Sequence, residues 1–185
     1  MEKPVCILGI VGSLRKGSFN RALMRSAIAM VPAGSVLEIC SLDGIPPFNQ
    51  DLEESPPQAV KDMKDRIRAA DAILFATPEY NYSVPGVLKN AIDWGSRPFR
   101  DNVWNGKPCA IMGASTGMMG TGRAQYHLRQ SCVLLNMYPL NRPEVLVSFA
   151  EQKFRDGVLT DEDTRAQVSK QLSALVQWAG RFPRA

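Results

Sequence analysis

Two kinds of segment alternate along the chain, distinguished by their pattern of apolar and polar residues. Short apolar runs, bounded by Gly, Pro or polar residues, occur five times. A segment whose apolar residues recur at the spacing of one helix face follows each of them. Such short, strongly apolar runs indicate strands that are buried on both faces. The predicted strands cover residues 5–11, 36–40, 72–77, 108–114 and 144–148.

The predicted helices separate every pair of strands. One precedes Pro32, two cover residues 58–70 and 86–94, one starts near Arg123, and the last starts at Thr160 or Asp161. Right-handed crossovers place such helices on both faces of a parallel sheet. The pattern therefore predicts one α/β domain over residues 1–185. Its fold class is flavodoxin-like and doubly wound, with a five-stranded parallel sheet in the order 2-1-3-4-5.

Composition and charge exclude several classes of function. The 22 Lys and Arg against 18 Asp and Glu give a formal charge of +4, spread along the chain without a basic block, so we expect no nucleic-acid partner. The four cysteines are scattered and His127 is the single histidine, which disfavours a metal site, a structural disulfide and a Ser-His-Asp or Cys-His hydrolase. We see no signal peptide at residues 1–4 and no membrane-spanning stretch, and expect a cytoplasmic protein.

The loop after the first predicted strand has the pattern of an anion site. It joins a strand to a helix N-terminus, where free N–H groups and the helix dipole favour a bound anion. It lacks the Gly-x-Gly-x-x-Gly of pyrophosphate sites, and Gly17 stands where a Walker A lysine would precede Ser18. A single phosphate monoester, such as that of FMN, is therefore favoured. A plain Gly/Ser turn that binds nothing is the alternative. The donor side chains are Ser13, Arg15, Ser18 and Asn20.

Two further loops are unusual and lie at the same predicted edge of the sheet. Ligands of doubly wound sheets bind outside the strand C-termini where the strand order reverses, which brings together the loops after strands one, three and four. Residues 77–86 combine two prolines with two aromatic residues, and residues 115–122 contain three glycines that let a flat ring approach the main chain. Together they suit a flavin ring. The alternative is a stiff surface turn beside an ordinary loop.

Three motifs follow one another along the chain. They read Gly-Ser-Leu-Arg-x-x-Ser-x-Asn from Gly12, Thr-Pro-Glu-Tyr-Asn from Thr77, and Pro-Gly-Val-Leu-Lys-Asn-Ala-Ile-Asp-Trp from Pro85. Together they resemble the NAD(P)H-dependent FMN reductase family, and most of all its bacterial quinone, azo-dye and chromate reductases. The likeness runs from the first predicted strand to about Glu144.

The resemblance implies an oxidoreductase with FMN as cofactor and NADPH or NADH as electron donor. Two electrons would pass by a ping-pong mechanism to a quinone or a similar acceptor, such as an azo compound, chromate or free flavin. No side chain would be catalytic, because the flavin carries the chemistry. A flavodoxin-like electron carrier without nicotinamide-dependent activity is the alternative, although such carriers are usually acidic and this chain is basic.

The resemblance also assigns residues to parts of the cofactor. The helix segment 89–94 would be scaffold without chemistry. Gly120-Thr121 stands where many members have Gly-Gly, which leaves the exact shape of that loop open. The phosphate would be held by Ser13, Arg15, Ser18 and Asn20, the ribityl chain and ring by Pro78, Glu79, Tyr80 and Asn81, and the isoalloxazine edge by Ser115, Gly117 and Gly120.

Finally, the resemblance implies a homo-oligomer, either a dimer or a tetramer. Residues 46–51 of one subunit would lie near the flavin of the next, with Phe48, Asn49 and Asp51 as candidate contacts. Tyr126 and Glu144 would form a hydrogen bond between subunits. For residues 46–51 the alternative is a loop that only decorates the surface.

Overall fold

A central parallel sheet organises the computed structural model, which describes residues 3–183. Its strand order is β2-β1-β3-β4-β5, with β6 also paired to β4, so the predicted order 2-1-3-4-5 is confirmed. All pairings within this sheet are parallel. The strands are β1 Val5–Val11, β2 Ser35–Cys40, β3 Ala72–Ala76, β4 Pro108–Ala114, β5 Tyr138–Pro139 and β6 Val145–Val147.

The edge beside β4 differs from the single strand predicted over residues 144–148. β5 pairs with the start of β4, and β6 pairs with its end. After the N–H of Leu140, which donates to the carbonyl oxygen of Cys109 at 2.7 Å, the pairing with β4 stops until β6, and Pro143 has no N–H to donate to a ladder there. The buried side chain of Gln171 bridges this interruption, since its Nε2 donates to the carbonyl oxygens of Ile111 at 3.0 Å and of Pro143 at 2.9 Å.

Five helices cover the two faces of the sheet. On β3, Ala72, Leu74 and Ala76 face the same apolar core as the buried residues of α1 and α5. Ile73 and Phe75 face the core formed with α2, α3 and α4. This arrangement follows from the period-two alternation of strand side chains. The helices are α1 Phe19–Ile28, α2 Gln58–Ala69, α3 Gly86–Gly95, α4 Gly122–Leu135 and α5 Glu162–Ala179.

A small antiparallel hairpin precedes α5, in a segment for which the sequence predicted no strand. It consists of β7, Phe154–Arg155, and β8, Val158–Leu159, joined by Asp156 and Gly157 at positive φ. Two-residue strands are too short for a periodic signal, but the Asp-Gly pair is a strong hairpin signal that points to this turn. Short 3₁₀ helices cover Gln50–Leu52, Phe99–Asp101 and Ala150–Gln152.

The predicted domain covers residues 1–185, and its terminal residues 1, 2, 184 and 185 lie outside the described part. The expectation that residues 1–4 form no signal peptide also falls partly outside the described residues, because residues 1 and 2 are not among them. Within residues 3–183, no helix combines the length and apolar character needed to cross a membrane. The same residues contain no group of three or more His, Cys, Asp or Glu placed to hold a metal ion.

Candidate functional site

The loop between β1 and α1 is built around two buried serine hydroxyls. Ser18 is the N-cap of α1, and its Oγ accepts the N–H of Arg21 at 3.4 Å. The Oγ of Ser13 accepts the N–H of Arg15 at the same distance. In residues 3–183 no acceptor is present for the N–H groups of Phe19 and Asn20, the first two residues of α1. The helix start therefore keeps hydrogen-bond donors for a ligand.

The three predicted loops meet around one cleft of about 300 Å³ at the carboxyl ends of β1, β3 and β4. All four predicted phosphate residues lie in its lining, as do three of the second loop and Ser115 of the third. Asn81, Gly117 and Gly120 are not in the lining. The sequence reasoning missed Phe19, Ala114 and Thr116, which adjoin predicted residues along the chain. The lining consists of Ser13, Arg15, Ser18, Phe19, Asn20, Pro78, Glu79, Tyr80, Ala114, Ser115 and Thr116.

Asn20 connects two of the three loops through its side-chain amide. Its Nδ2 donates to the carbonyl oxygen of Ala114 at 2.8 Å, and the N–H of Ala114 donates to its Oδ1 at 2.9 Å. The side chain is buried, and this bidentate pair joins the start of α1 to the end of β4. Asn20 therefore holds the walls of the cleft at a fixed separation.

Residues 79–83 form a tight hairpin turn beside the cleft. The N–H of Tyr80 donates to the carbonyl of Ser83 at 3.1 Å, and the N–H of Ser83 donates back at 3.0 Å. Asn81 and Tyr82, the two central residues, both have positive φ, of 48° and 68°. Positive φ at both positions matches the favoured two-residue hairpin turn. Asn81 lies at the exposed tip of this turn, away from the cleft lining.

Glu79 caps helix α4 with its carboxylate. Oε2 accepts the N–H groups of Arg123 and Ala124 at 3.1 and 3.2 Å, and Oε1 accepts Nε of Arg123 at 2.6 Å. A free carboxylate would repel a phosphate, but this one is balanced by a guanidinium and the positive end of a helix. The presence of Glu79 in the lining is therefore compatible with an anion in the cleft.

Two further contacts hold the same hairpin against α4. The guanidinium of Arg123 lies over the ring of Tyr82, 3.6 Å from its centroid. Nδ1 of His127, one turn further along the helix, is 2.9 Å from Oγ of Ser83. The wall of the cleft formed by the second loop is therefore fixed to a long helix.

The third loop is held by its backbone to β6 and the residues that follow. The N–H of Ser115 donates to the carbonyl of Val147 at 2.9 Å, and the carbonyl of Ser115 accepts the N–H of Ala150 at 3.0 Å. Gly120 has φ of 54°, and a Cβ there would lie 2.6 Å from the backbone of Leu146. At Gly117 a Cβ would meet nothing nearer than 3.9 Å. Gly120 is needed for packing, whereas Gly117 leaves its side of the loop open.

Thr121 occupies the left-handed region at the end of this loop, with φ of 72°. Its side chain is fully buried, and its Oγ1 accepts Nε2 of Gln125 at 3.1 Å. A β-branched residue in this region is strained by about 1–3 kcal/mol. Thr121 therefore adopts a backbone conformation that suits glycine, and burial with one hydrogen bond holds it there.

The fold and the cleft together define the class of protein. The sheet order is that of flavodoxin-like proteins, and the cleft lies where ligands bind in such sheets. Its lining provides hydroxyls, a guanidinium and helix N–H groups, while the one carboxylate in it is already paired. Such a set is chemically suited to a phosphorylated ligand, and the lining residues include no nucleophile–base pair.

Comparison with known proteins identifies the family. The family model described as NADPH-dependent FMN reductase matches residues 5–152. An NAD(P)H-dependent FMN reductase of Pseudomonas aeruginosa is 51% identical over 184 residues, covering 98% of this chain and 99% of that protein. A quinone reductase of Escherichia coli K12 is 39% identical, and the alignment covers 98% of both chains. The chain belongs to the NADPH-dependent FMN reductase family, which confirms the resemblance noted in its motifs.

A solved structure agrees with this assignment. The flavoenzyme NAD(P)H:(acceptor) oxidoreductase of Paracoccus denitrificans superposes with a TM-score of 0.89 at 35% identity, over 96% of this chain and 98% of the other. A flavodoxin, WrbA-like protein of Agrobacterium tumefaciens gives a TM-score of 0.62 at 13% identity, a likeness of fold alone. The protein is therefore an oxidoreductase whose cofactors are FMN and a reduced nicotinamide nucleotide.

Proposed function

We propose that this protein transfers two electrons from NADPH or NADH, through bound FMN, to a quinone. The observation that carries the proposal is the cleft of about 300 Å³ in which the loops after β1, β3 and β4 meet. Relatives named quinone reductase, 39–40% identical over most of their length, support a quinone as acceptor. Azo compounds, chromate and free flavin are further acceptors to be tested.

The phosphate end of FMN fits the first loop. The hydroxyls of Ser13 and Ser18 accept backbone N–H groups, which leaves their protons free to donate. The guanidinium of Arg15 makes no hydrogen bond or ion pair with residues 3–183 and is available for a bidentate contact. We assign the phosphate to these three side chains and the first N–H groups of α1, with Asn20 positioning the loop.

The other end of the cleft would take the ribityl chain and ring. Pro78, Glu79 and Tyr80 form one wall, with the polar atoms of Glu79 occupied by α4, so the main chain and the Tyr80 side chain are the available contacts. Ser115 and the open backbone at Gly117 would contact the ring edge, while Gly120 shapes the loop and Asn81 the hairpin. FMN, when bound, supplies the hydride chemistry, and these residues bind and orient it.

A ping-pong order follows from one shared cleft. The cleft between the three loops adjoins the proposed ring position, and donor and acceptor would use the same open face of the ring in turn. The chain provides orientation and exclusion of water, and no lining side chain is asked to move a proton. Product nucleotide must then leave before the acceptor enters.

We further propose that the protein is a homo-oligomer, a dimer or a tetramer. Val133 and Leu134 on α4 are 82% and 79% exposed, which is unusual for adjacent large apolar residues. Tyr126, on the same helix, is also exposed, while Glu144 is half-buried, and we retain these two residues as a contact between subunits. Of the other predicted contacts with another subunit, Asp51 is exposed. Phe48 already packs on Trp94 within the same chain, with 5.0 Å between the ring centroids.

A cytoplasmic location completes the proposal. All four cysteines are free, three of them buried, and the core is held by two apolar clusters without a disulfide among the described residues. Free buried cysteines are typical of proteins that fold in a reducing compartment.

The decisive experiment follows flavin absorption without oxygen. FMN-loaded protein is mixed with NADPH, and a benzoquinone is then added to the same cuvette. We expect rapid bleaching and full recovery, without accumulation of a one-electron species. A flavin that binds but stays oxidised with both NADPH and NADH would instead support the electron-carrier alternative. Failure to bind FMN would contradict the assignment of the phosphate loop.

A further inference from the structure

A second, smaller cleft lies on the other side of the first loop. Its volume is about 110 Å³, and it lies at the carboxyl ends of β1 and β2. Ser13 lines both this cleft and the larger one, and its neighbours Leu14 and Arg15 line the smaller and the larger cleft respectively, so the two clefts adjoin along this loop. Its apolar lining includes Val11, Ile39 and Leu42, and its polar lining includes Arg21, Arg25, Ser41 and Asp43.

The polar groups of this cleft carry an excess of positive charge. Arg21 donates to the carbonyl oxygen of Leu14 at 3.1 Å and lies 3.5 Å from Asp43, a long ion pair. The Asp43 carboxylate instead accepts the Ser41 hydroxyl at 2.6 Å. Arg25 is exposed and makes no hydrogen bond or ion pair with residues 3–183. Two guanidinium groups therefore face one carboxylate, and one of them is uncommitted.

The position in the sheet suits the adenosine end of a dinucleotide. In the related dinucleotide-binding Rossmann sheets, a carboxylate about 20 residues after the first βα turn meets the ribose hydroxyls, or a nearby arginine meets the 2′-phosphate; the end of β2 is the corresponding place in this sheet. Asp43 lies three residues after β2, and Arg21 and Arg25 lie one turn apart on α1. The apolar lining suits the face of an adenine ring.

We propose that this second cleft binds the adenosine end of the nicotinamide donor and that Arg25, together with Arg21, contacts the 2′-phosphate of NADPH. The protein is thus specific for NADPH over NADH, because NADH has a hydroxyl where the arginines require a dianion. The inference rests on the proposed function, since the nicotinamide end of the same molecule must reach the larger cleft. Ser13, which lines both clefts, marks the path between them.

The first test measures binding without turnover. Adenosine 2′,5′-bisphosphate, adenosine 5′-monophosphate and inorganic phosphate are titrated calorimetrically into the FMN-loaded protein. We expect the bisphosphate to bind at least about tenfold more tightly than either of the others, as charge-assisted arginine contacts predict. Equal affinity for the bisphosphate and the monophosphate would overturn the proposal. So would equal affinity for the bisphosphate and inorganic phosphate, which would leave a plain anion site.

Variants then test the arginines themselves. Arg25→Ala should remove the preference for the bisphosphate, and Arg25→Lys should keep part of it, because the charge remains without the planar fork. Arg100→Ala is the matched control, since Arg100 is an exposed arginine paired with Glu54 on another part of the surface. Arg25 is exposed and makes no hydrogen bond or ion pair with residues 3–183, so we expect its replacement to leave folding intact. An unchanged preference in Arg25→Ala would contradict the assignment.

Kinetics separates this inference from the proposed function. Arg25→Ala should raise KM for NADPH by about tenfold while kcat, KM for NADH and FMN affinity stay as in the wild type. If the wild-type protein reduces quinone equally well with NADPH and with NADH, the second cleft does not bind the 2′-phosphate. The proposed function would still hold. If neither donor reduces the flavin but the bisphosphate preference is present, the proposed function fails and the cleft assignment survives.

Discussion

The side chains of the larger cleft divide into those occupied by the protein and those left for a ligand. Asn20 and Glu79 use their polar atoms to join secondary-structure elements, so their removal leaves buried groups without partners. Arg15, by contrast, has no polar partner among residues 3–183. Replacing a residue that is paired within the protein should affect folding, whereas replacing one that is left for a ligand should affect binding.

Replacing Arg15 should therefore weaken FMN binding without changing stability. A hydrogen bond to a charged group contributes about 1.5–3 kcal/mol, so Arg15→Ala is expected to raise the Kd for FMN by roughly 10- to 150-fold. Fluorescence quenching of FMN, titrated with the cofactor-free protein, measures this. Lys16→Ala removes the neighbouring exposed charge and serves as control, with an expected change below about threefold. Equal losses in the two variants would place the phosphate elsewhere.

A methyl group added at Gly113 should be strongly destabilising. A Cβ there would lie 1.9 Å from Oγ1 of Thr121 and 2.5 Å from the carbonyl oxygen of Thr77. Overpacking in a rigid core costs about 1–3 kcal/mol or more, and we expect Gly113→Ala to reach at least the upper part of this range in urea unfolding. Thr121→Gly should restore only part of the loss, because the Thr77 clash remains.

Gly86→Ala provides the control for that measurement. A Cβ at Gly86, the first residue of α3, would meet nothing within 4 Å. Alanine is favoured over glycine in helices, so this variant should be neutral or more stable by up to about 1 kcal/mol. A Gly113→Ala variant as stable as Gly86→Ala would mean that the close packing of Thr121 against β4 is wrong.

At the scale of elements, the cleft is held by helix ends. α1 presents its first N–H groups to the cleft, and α4 receives the carboxylate of Glu79 at its own start. The hairpin at residues 79–83 is further fixed to α4 by Arg123 and His127. Loops anchored in this way are ordered before any ligand binds, and for the proposed cofactor this would lower the entropy cost of binding.

The start of α5 gives a prediction about pH. Hydrogen bonds from the Thr164 hydroxyl and N–H lower the pKa of Asp161, the N-cap residue. A lowered pKa in the folded state means that the carboxylate adds stability above the pKa of the unfolded chain. That contribution is lost as the pH falls through the folded value. Acid should therefore reduce the stability that Asp161 gives to the start of α5.

Variants of Asp161 isolate this effect. Asp161→Ala should cost about 1 kcal/mol at pH 7, the usual loss for an N-cap. Asp161→Asn keeps an acceptor oxygen and should lose much less, while flattening the fall in stability between neutral pH and the acid range. Urea unfolding followed by circular dichroism at pH 7 and at pH 3 measures both. An unchanged pH dependence in the Asn variant would contradict the assigned role.

The whole molecule presents an apolar surface that a single chain leaves uncovered. Burying one large aliphatic side chain contributes about 1.5–3 kcal/mol, so the adjacent Val133 and Leu134 favour association. Leu134→Glu should shift the wild-type oligomer toward monomer in sedimentation velocity, with an unchanged circular dichroism spectrum. Ile28→Glu, at a less exposed apolar position on α1, is the control and should leave the oligomer intact. A monomeric wild type at all concentrations would refute the proposed association.

The sequence by itself determined the strands β1, β2, β3, β4 and β6, the strand order, and the edge of the sheet at which the three loops meet. The predicted bounds of β1 and β4 match the structure residue for residue, because seven consecutive apolar positions have few ways to be buried. The order then follows from right-handed crossovers, and the loop positions follow from the order. Most of the cleft lining was accordingly predicted, from donors that stand next to each other along the chain.

Only the tertiary structure decided what each polar atom contacts. Asn20 is hydrogen-bonded to Ala114, 94 residues further along the chain, and Glu79 to Arg123, 44 residues further along. No local sequence pattern predicts either pairing. The split edge beside β4 depends on Gln171 reaching it from α5. The second cleft likewise needs α1 and the end of β2 side by side. Periodicity reports which residues are buried, whereas hydrogen bonds and ion pairs depend on distances of a few ångströms between segments that only the folded chain brings together.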